Sequence, residues 1–536
     1  MSDSKQASWL PLIAIASSMV MMYITSFGVN VLISPIVQDL GTTVATLQLV
    51  IVSASLIAGA LMVTAGRLGD KFGKKKIFLL GSILYTIGLI VVVISPSTPV
   101  FALGWGVIWP MGMVLIIPNS IALIMYFYEG QQRAMAYGIY GAVLSAVAAI
   151  APVIVGWVAN LADWRFALAM SPLMGIVTIL LTLKMPETDK DESIKIDLPS
   201  VLLSVACFGL LLTSTTMAGH YGWFEAKRPL VLGGSEINTL GISIVTWLYL
   251  LAAVFFCVFV LRGESLKKNN QPPLLDASLL KNMPFSVGMT IAALFFLVNA
   301  AMLFAVSVFL QAGVRFDPLQ TAIATLPFSL ILAIISFSTP GLGKQIAPKW
   351  IVAAGSVIMA AGLWLIGGSM SMDMSPTDPL IGMLVAGAGA GLMMAQGTGV
   401  TMMTVSPEQS GAASGLSETM KEIIGQGFAV ALAGAILFGT VYNSMAESFA
   451  EIENIAMTEE EQEQIVVELE DIFQEISEEE EREFVQSLPE TTRSAYNDIV
   501  ADASVAGVRQ ALLVTQLVLG LCFILALTLP AKKLEH

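Results

Sequence analysis

Three ionisable residues lie inside a long apolar stretch near the end of the chain. Glu418, Lys421 and Glu422 follow the start of the apolar run 411–445 by about two to three helical turns. Glu418 and Lys421 are three positions apart and can pair on one helical face, whereas Glu422 lies roughly 100° around the helix from Lys421. Ionisable groups inside a membrane-spanning helix are costly and usually mark a proton or ion pathway, so these residues are candidates for proton or cation coupling. A structural ion pair near the membrane interface is the alternative.

A second cluster of charge lies in the link 66–76, GRLGDKFGKKK, which separates two apolar runs. Its three glycines predict a tight turn that brings helix ends together. Asp70 is placed to face a helix amino terminus or a basic neighbour. We interpret the link as a conformational latch, and the alternative is that its basic residues only fix topology. The residues of the latch are Gly66, Arg67, Gly69, Asp70, Gly73, Lys74 and Lys75.

The composition indicates which elements carry these residues. Of the 536 residues, 56% are hydrophobic and 12% are charged, and the mean hydropathy is +0.80. These values are typical of an all-α polytopic membrane protein, because a run of about 20 apolar residues crosses the hydrocarbon core as a helix. Fourteen runs are long enough: 9–36, 45–66, 76–96, 99–127, 133–160, 165–184, 199–218, 238–262, 284–311, 318–340, 349–370, 379–404, 411–445 and 507–530.

The basic residues predict the orientation of these spans. With the amino terminus inside, eighteen lysines and arginines lie on the cytoplasmic side and seven on the other, so both termini are expected in the cytoplasm. The net charge of −14 is concentrated in 446–506, which carries nineteen acidic and two basic residues. Capping boxes at Thr458 and Ser487 predict that this extracytoplasmic segment forms an acidic helical hairpin. It is either a solvated cap or an electrostatic funnel for cations.

Part of the latch recurs in the second half of the chain. Residues 66–81 align with 340–355 and match Gly69 with Gly343 and Gly81 with Gly355. This agreement predicts two duplicated six-helix bundles, with two further spans inserted between them.

The link G-x-L-x-D-x-x-G-K-K-K resembles the loop signature of the major facilitator superfamily, and the fourteen spans resemble its drug:proton antiporter branch. The stretches 163–175, 271–285, 309–327 and 410–427 are also similar to that family. The resemblance implies the major facilitator fold. It also implies an antiporter-like motif in span 5, formed by Gly141, Pro152 and Gly156, although Ala151 and Val155 replace two of the family's glycines. Close helix packing explains these residues about equally well.

The chain departs from the drug antiporters where they carry polar groups in spans 1 and 4. The position of the usual acid is Thr25, and that of the usual arginine is Gly106. The first six spans therefore contain almost no charge, which indicates a neutral, amphipathic or lipid-like substrate. Polar and aromatic residues in apolar spans are candidates to line the substrate cavity, although each also serves helix packing. They are Asn30, Trp105, Trp109, Asn119, Asn299, Gln311 and Gln396.

We therefore expect a secondary transporter, and not an enzyme, that exports hydrophobic or amphipathic compounds by alternating access and has no cofactor or metal. Its parts are an amino-terminal bundle (9–184), a linker with two inserted helices (185–262), a carboxy-terminal bundle (284–530) and the hairpin 446–506. It is expected as a monomer in the cell membrane, with protons or cations as the coupling ion and no nucleic acid partner. The alternatives are a conventional proton-coupled exporter of cationic drugs and a non-transporting scaffold or receptor that uses the hairpin.

Overall fold

A computed structural model describes residues 8–531 except 43, 192–196, 229, 233–234, 238–240, 270, 272, 275–276, 317, 340–345, 407–408, 454–464, 467–485 and 487–489. The first part of the chain forms α1 (Leu10–Leu40), α2 (Val44–Phe72), α3 (Lys74–Val93), α4 (Thr98–Leu103), α5 (Trp109–Phe127), α6 (Gly130–Leu161) and α7 (Trp164–Leu183). Next come α8 (Leu198–Tyr221), β1 (Leu230–Leu232), β2 (Ser235–Ile237), α9 (Ile244–Lys268) and α10 (Ala277–Lys281). The last part forms α11 (Met283–Val308), α12 (Pro318–Ser338), α13 (Pro348–Ser369), α14 (Leu380–Met402), α15 (Ser410–Met420), α16 (Phe428–Glu453) and α17 (Glu490–Thr528).

Three π-helical segments connect or extend these helices. Gly104–Ile108 joins α4 to α5, Phe309–Gly313 extends α11, and Lys421–Gly427 joins α15 to α16. The third segment contains both Lys421 and Glu422. Because π-helical turns are rare and are frequently found at functional sites, the region around Lys421 is a candidate functional site.

Local sequence explains where several helices begin and end. The side chain of Asp197 accepts a hydrogen bond from the backbone N–H of Ser200 and caps α8, and Ser243 caps α9 in the same way. Gly41 ends α1 in the left-handed conformation, with φ of 59°. Among the described residues, ten helices are long and apolar enough to cross a membrane. Helices α1, α2 and α6, of 31, 29 and 32 residues, pack among them.

The buried apolar side chains form two main clusters. The first is centred on α1 to α7, and the second on α11 to α17. The two groups of helices meet where α2 packs against α15 and where α6 packs against α12. Helices α8 and α9 pack against each other, and α8 also contacts α2 on one side and α16 on the other.

The same contacts recur in both groups of helices. A Cβ on Gly81 of α3 would lie 2.9 Å from the carbonyl oxygen of Gly112, and one on Gly355 of α13 would lie 2.8 Å from that of Gly389. The sequence alignment pairs Gly81 with Gly355, and each of these two glycines allows its helix to approach a neighbouring helix closely. Arginines follow the same pattern: Arg165 of α7 donates to the carbonyl of Ser95, just after α3. Arg509 of α17 donates to carbonyls at the end of α13.

Several expected boundaries are wrong. The span expected from residue 238 begins only at Ile244, because a short antiparallel hairpin of β1 and β2 precedes it, with Leu230 opposite Ile237. This hairpin is also an exception to the all-α expectation. Helix α17 begins at Glu490, within the capping box that starts at Ser487, and continues through the span expected from 507, so the two predicted elements belong to one helix. The acidic hairpin expected in 446–506 lies largely outside the described residues.

Candidate functional site

The end of α2 places the latch residues differently from the predicted turn. Gly73 alone adopts a left-handed backbone, with φ of 97°, between α2 and α3. Gly66 and Gly69 lie inside α2, so the prediction that all three glycines form a turn is wrong. They instead provide close contact: a Cβ on Gly69 would lie 1.7 Å from Oδ1 of Asn119. The physical reason is that α2 continues through Phe72 and packs its glycine face against its neighbours.

Asp70 lies at the junction between the two groups of helices. Its carboxylate forms an ion pair with Nζ of Lys74 at 3.0 Å, and Nη1 of Arg67 is 3.8 Å away. The same carboxylate lies against Gly411 in the first turn of α15, so closely that a Cβ on Gly411 would lie 2.5 Å from Oδ1 of Asp70. A buried negative charge at a helix amino terminus interacts favourably with the helix dipole. Asp70 therefore holds the end of α2 against the start of α15.

Glycines make this approach possible. A Cβ on Gly66 would lie 2.0 Å from the carbonyl oxygen of Gly411, and one on Gly415 would lie 2.7 Å from that of Met62. The hydroxyl of Ser414 donates to the carbonyl of Pro118 in α5 at 3.0 Å. The two groups of helices are consequently in backbone contact on the face that carries the link 66–76, which we call the basic face.

The link also contacts both segments that flank α8 and α9. Arg67 donates through Nη2 to the carbonyl of Pro273 at 2.7 Å. On the other side, Lys75 pairs with Glu187, and the backbone N–H of Asp191 donates to the carbonyl of Asp70 at 3.1 Å. Arg67 and Lys75 of the link are thus engaged in tertiary contacts, which a pure topology anchor does not require.

The second part of the site lies deeper between the bundles. Oε1 of Glu418 and Nζ of Lys421 are 2.6 Å apart, and their side chains are 12% and 10% exposed. The ammonium of Lys421 also lies 5.5 Å from the ring centroid of Phe296 in α11. The spacing of the two residues predicts this pairing, and the structure shows it. Glu422 is half-buried on the adjoining π-helical segment.

Tyrosines from the other bundle face this acid and are not among the sequence candidates. Tyr23 of α1 and Tyr140 of α6 interact electrostatically with Glu418, and Tyr23 also interacts with Glu422. Within the described part of the chain, the buried hydroxyl of the neighbouring Tyr137 has no hydrogen-bond partner. The sequence feature that indicates these tyrosines as site residues is their position inside apolar spans, because a buried tyrosine hydroxyl requires a polar partner.

The remaining cavity candidates lie in different places. Trp105 and Trp109 stack on each other inside the first bundle, with ring centroids 4.9 Å apart. Asn119 donates to the carbonyl of Ala65 and joins α5 to α2, so its amide serves packing. Asn299 is half-buried on α11 and Gln311 is exposed. The other two positions are Gln396, which is buried on α14, and Asn30, whose side chain lies outside the described residues.

The two departures from the antiporter pattern have a packing explanation. Thr25 donates from Oγ1 to Oγ of Ser171 at 2.8 Å and so joins α1 to α7. Gly106 faces α2 so closely that a Cβ would lie 2.6 Å from Oγ of Ser53. A neutral hydroxyl pair and a helix contact therefore occupy the places of the acid and the arginine.

The antiporter-like motif of α6 is described only in part. A Cβ on Gly141 would make ordinary contact, at 3.8 Å, with Met394 of α14, so α6 approaches the other bundle here. Gly156 is half-buried, and the side chain of Pro152 lies outside the described residues.

Comparison with known proteins gives a consistent result. The sequence profile described as Major Facilitator Superfamily matches residues 15–430. The chain is 24% identical over 466 residues to a probable actinorhodin transporter of Streptomyces coelicolor, covering 84% of this chain and 76% of that protein. It is 26% identical to the multidrug resistance protein Stp of Mycobacterium tuberculosis, and the alignment covers 80% of this chain and 75% of that protein. It is also 26% identical to the quinolone resistance protein NorB of Staphylococcus aureus, covering 75% and 82%.

Solved structures show the same fold. The human organic anion transporter MFSD10 has a TM-score of 0.57 at 12% identity, covering 98% of this chain and 100% of that one. The proton:xylose symporter XylE has a TM-score of 0.54 at 14% identity, covering 87% and 93%. These structures share the fold of this chain, and the sequence relatives align with it across most of their length.

Proposed function

Because this chain belongs to the major facilitator superfamily, we propose that it is a secondary active exporter of hydrophobic or amphipathic compounds. The observation that carries the proposal is the position of Glu418 and Lys421, which lie between the bundles opposite Tyr23 and Tyr140. A charged pair that interacts electrostatically with two tyrosines of the other bundle offers a solute both hydrogen bonds and aromatic contact.

The coupling ion is a proton or another cation, carried by Glu418 or Glu422. Intramembrane acids are the usual carriers of such ions. In the first bundle, Thr25 and Gly106 hold neutral contacts at the two positions where the drug antiporters carry charge. The substrate is accordingly neutral or amphipathic and not a simple cation.

The chain spans the membrane fourteen times, with bundles at 9–184 and 284–530 and two inserted helices in 185–262. The basic face is cytoplasmic, because lysines and arginines concentrate there, and both termini lie on that side of the cell membrane. The segment 446–506 is extracytoplasmic. The structure then represents a state closed to the cytoplasm by the Asp70 latch, and rocking of the two bundles alternates the access.

The relatives support export. One is named for actinorhodin transport and two for drug resistance. The scaffold hypothesis has no support from this family assignment. A conventional exporter of cationic drugs remains the second candidate, favoured by the names of those resistance proteins.

Efflux from proteoliposomes tests the proposal. Purified protein is reconstituted with fluorescent solutes of matched size that are cationic, anionic or neutral and amphipathic, and a pH gradient is then imposed. We expect transport of the neutral amphiphile at the highest rate. Transport restricted to cationic dyes supports the second candidate, and movement of no solute contradicts both.

A further inference from the structure

The inserted helix α8 packs against both α2 of the first bundle and α16 of the second, and we call the boundary between the bundles at this place the seam. A Cβ on Gly59 of α2 would lie 2.5 Å from Cδ1 of Leu212, and a Cβ on Gly427 would lie 2.8 Å from Cδ2 of the same residue. One leucine therefore fills two glycine notches that belong to opposite bundles. Its side chain is 1% exposed, so the fit excludes solvent and lipid alike.

This contact lies at the depth of the charged site. Leu212 is fourteen residues beyond the start of α8 and Gly59 is thirteen residues before the end of α2, so each is about 20 Å from the basic face. Immediately behind the notch, Cγ1 of Ile423 lies 3.5 Å from the Cβ position of Gly59. Ile423 directly follows Glu422, so the Leu212 contact lies beside the segment that carries this acid.

The inserted helices α8 and α9 are joined to each other by contacts that help to hold Leu212 in place. The hydroxyls of Thr215 and Tyr249 are 3.0 Å apart and connect α8 to α9. Arg262 of α9 donates through Nε and Nη2 to both carboxylate oxygens of Asp197 at the start of α8. Helix α9 packs on α8, and only 17% of its spanning window is buried, so it forms the bilayer side of this pair.

We propose that α8 is a lateral seal and that Leu212 determines whether an amphipathic solute reaches the cavity directly from the bilayer. The proposal rests on the proposed function for its substrate class. When the bundles rock, the two glycine notches move apart, and Leu212 remains with at most one of them. The seam then opens at this point to solutes dissolved in the membrane. A smaller side chain widens the opening in every state.

Thiol labelling tests the seal independently of any transport measurement. In full-length protein with Cys207, Cys257 and Cys522 replaced by alanine, Ile423→Cys reports access to the seam. Proteoliposomes are treated with the bilayer-soluble reagent N-pyrenylmaleimide or with a charged, water-soluble methanethiosulfonate. We expect Leu212→Ala to raise the rate with the pyrene reagent at least about fivefold and to leave the rate with the charged reagent unchanged.

Leu202→Ala is the matched control, because Leu202 lies on the same helix and is 62% exposed. It should change neither rate. Leu212→Val, which removes less volume, should give an intermediate increase and keeps the test valid if Leu212→Ala is unstable. Unchanged labelling in both Leu212 variants, or an equal increase with both reagents, overturns the seal.

Transport provides the second arm. With the neutral amphiphile as substrate, Leu212→Ala should lower KM at least about threefold, while KM for a water-soluble solute stays constant. An equal change for both solutes contradicts the role of Leu212 in specificity. If the unmodified protein moves no solute, the proposed function fails, whereas the labelling result still decides whether α8 seals the seam.

Discussion

The carboxylate of Asp70 packs against Gly411, so that the end of α2 meets the first turn of α15. The two residues are far apart in sequence and belong to different bundles. Because Gly411 has no side chain, the carboxylate reaches the helix terminus directly. If this contact is the latch proposed above, its strength sets how readily the basic face opens.

Removing the charge of Asp70 should weaken the closed state. An anion at a helix amino terminus contributes about 1–2 kcal/mol when partly buried, so Asp70→Asn should shift the ratio of closed to open states by roughly 5- to 30-fold. The measurement is labelling of a cysteine introduced at Tyr140, with reagent added from the basic face. Lys76→Gln serves as the control, since Lys76 is exposed on the same link. Equal labelling of Asp70→Asn and the parent would contradict the latch.

A methyl group on Gly66 should separate the bundles by steric force alone. A Cβ there would lie 2.0 Å from the carbonyl oxygen of Gly411, a distance that no backbone tolerates without movement. Gly66→Ala should therefore favour the open basic face, seen as an increased distance between spin labels on the ends of α2 and α15. Gly520→Ala is the control, because nothing lies within 4 Å of its Cβ position. A distance distribution unchanged by Gly66→Ala would refute the prediction.

Substitutions of Glu418 and Glu422 should differ in their effect on thermal stability. Glu418→Gln leaves the ammonium of Lys421 buried without its partner, and breaking such a pair costs about 3–5 kcal/mol. Thermal unfolding in detergent should show a lower Tm for this variant, recovered in part by the double variant Glu418→Gln, Lys421→Met. Glu422→Gln should leave Tm nearly unchanged. Comparable Tm values for the parent, the two single variants and the double variant would mean that the Glu418–Lys421 pair has no structural role.

The pair Asp197–Arg262 gives a pH-dependent prediction for the inserted helices. Hydrogen bonds from Arg262 and Ser200 hold the pKa of the Asp197 carboxyl well below its usual range. A depressed pKa in the folded state means that the stabilisation is present above the unfolded pKa of about 3.9 and is lost as the pH falls below it. The Tm difference between the parent and Asp197→Asn should accordingly be constant from pH 5 to pH 8 and shrink below about pH 4. A difference that grows in acid would contradict this assignment.

Local spacing predicts the site only where the contacts are local. The separation of Glu418 and Lys421 by three residues predicts their pairing, because that spacing fixes a helical face. The role of Gly66 and Gly69 is not predicted, since a glycine in a turn and a glycine in a close helix contact look alike in one sequence. Tyr23 and Tyr140 were missed for a related reason: their relation to Glu418 exists only once the bundles pack.

The lack of a local sequence signal also explains the errors in the predicted fold. Apolar runs predict where most helices lie, because a membrane span requires them. They do not predict that the helix beginning at Glu490 is continuous with the last span, since a helix that continues beyond the membrane has no apolar signal; the capping box at Ser487 marks only its start. The strands β1 and β2 flank Gly233-Gly234, a dipeptide that favours hairpins, but it lies beside an apolar run that obscured it.

Proton movement driven by a solute tests the central claim, that this protein couples export to an ion at the buried acids. Proteoliposomes that contain an internal pH dye are exposed to cationic drugs, neutral amphiphiles and lipids, with Glu422→Gln and Glu418→Gln measured in parallel. We predict a proton signal with the neutral amphiphiles that is lost in at least one of the two variants. A signal that persists in both variants, or no signal with any solute, would contradict the account.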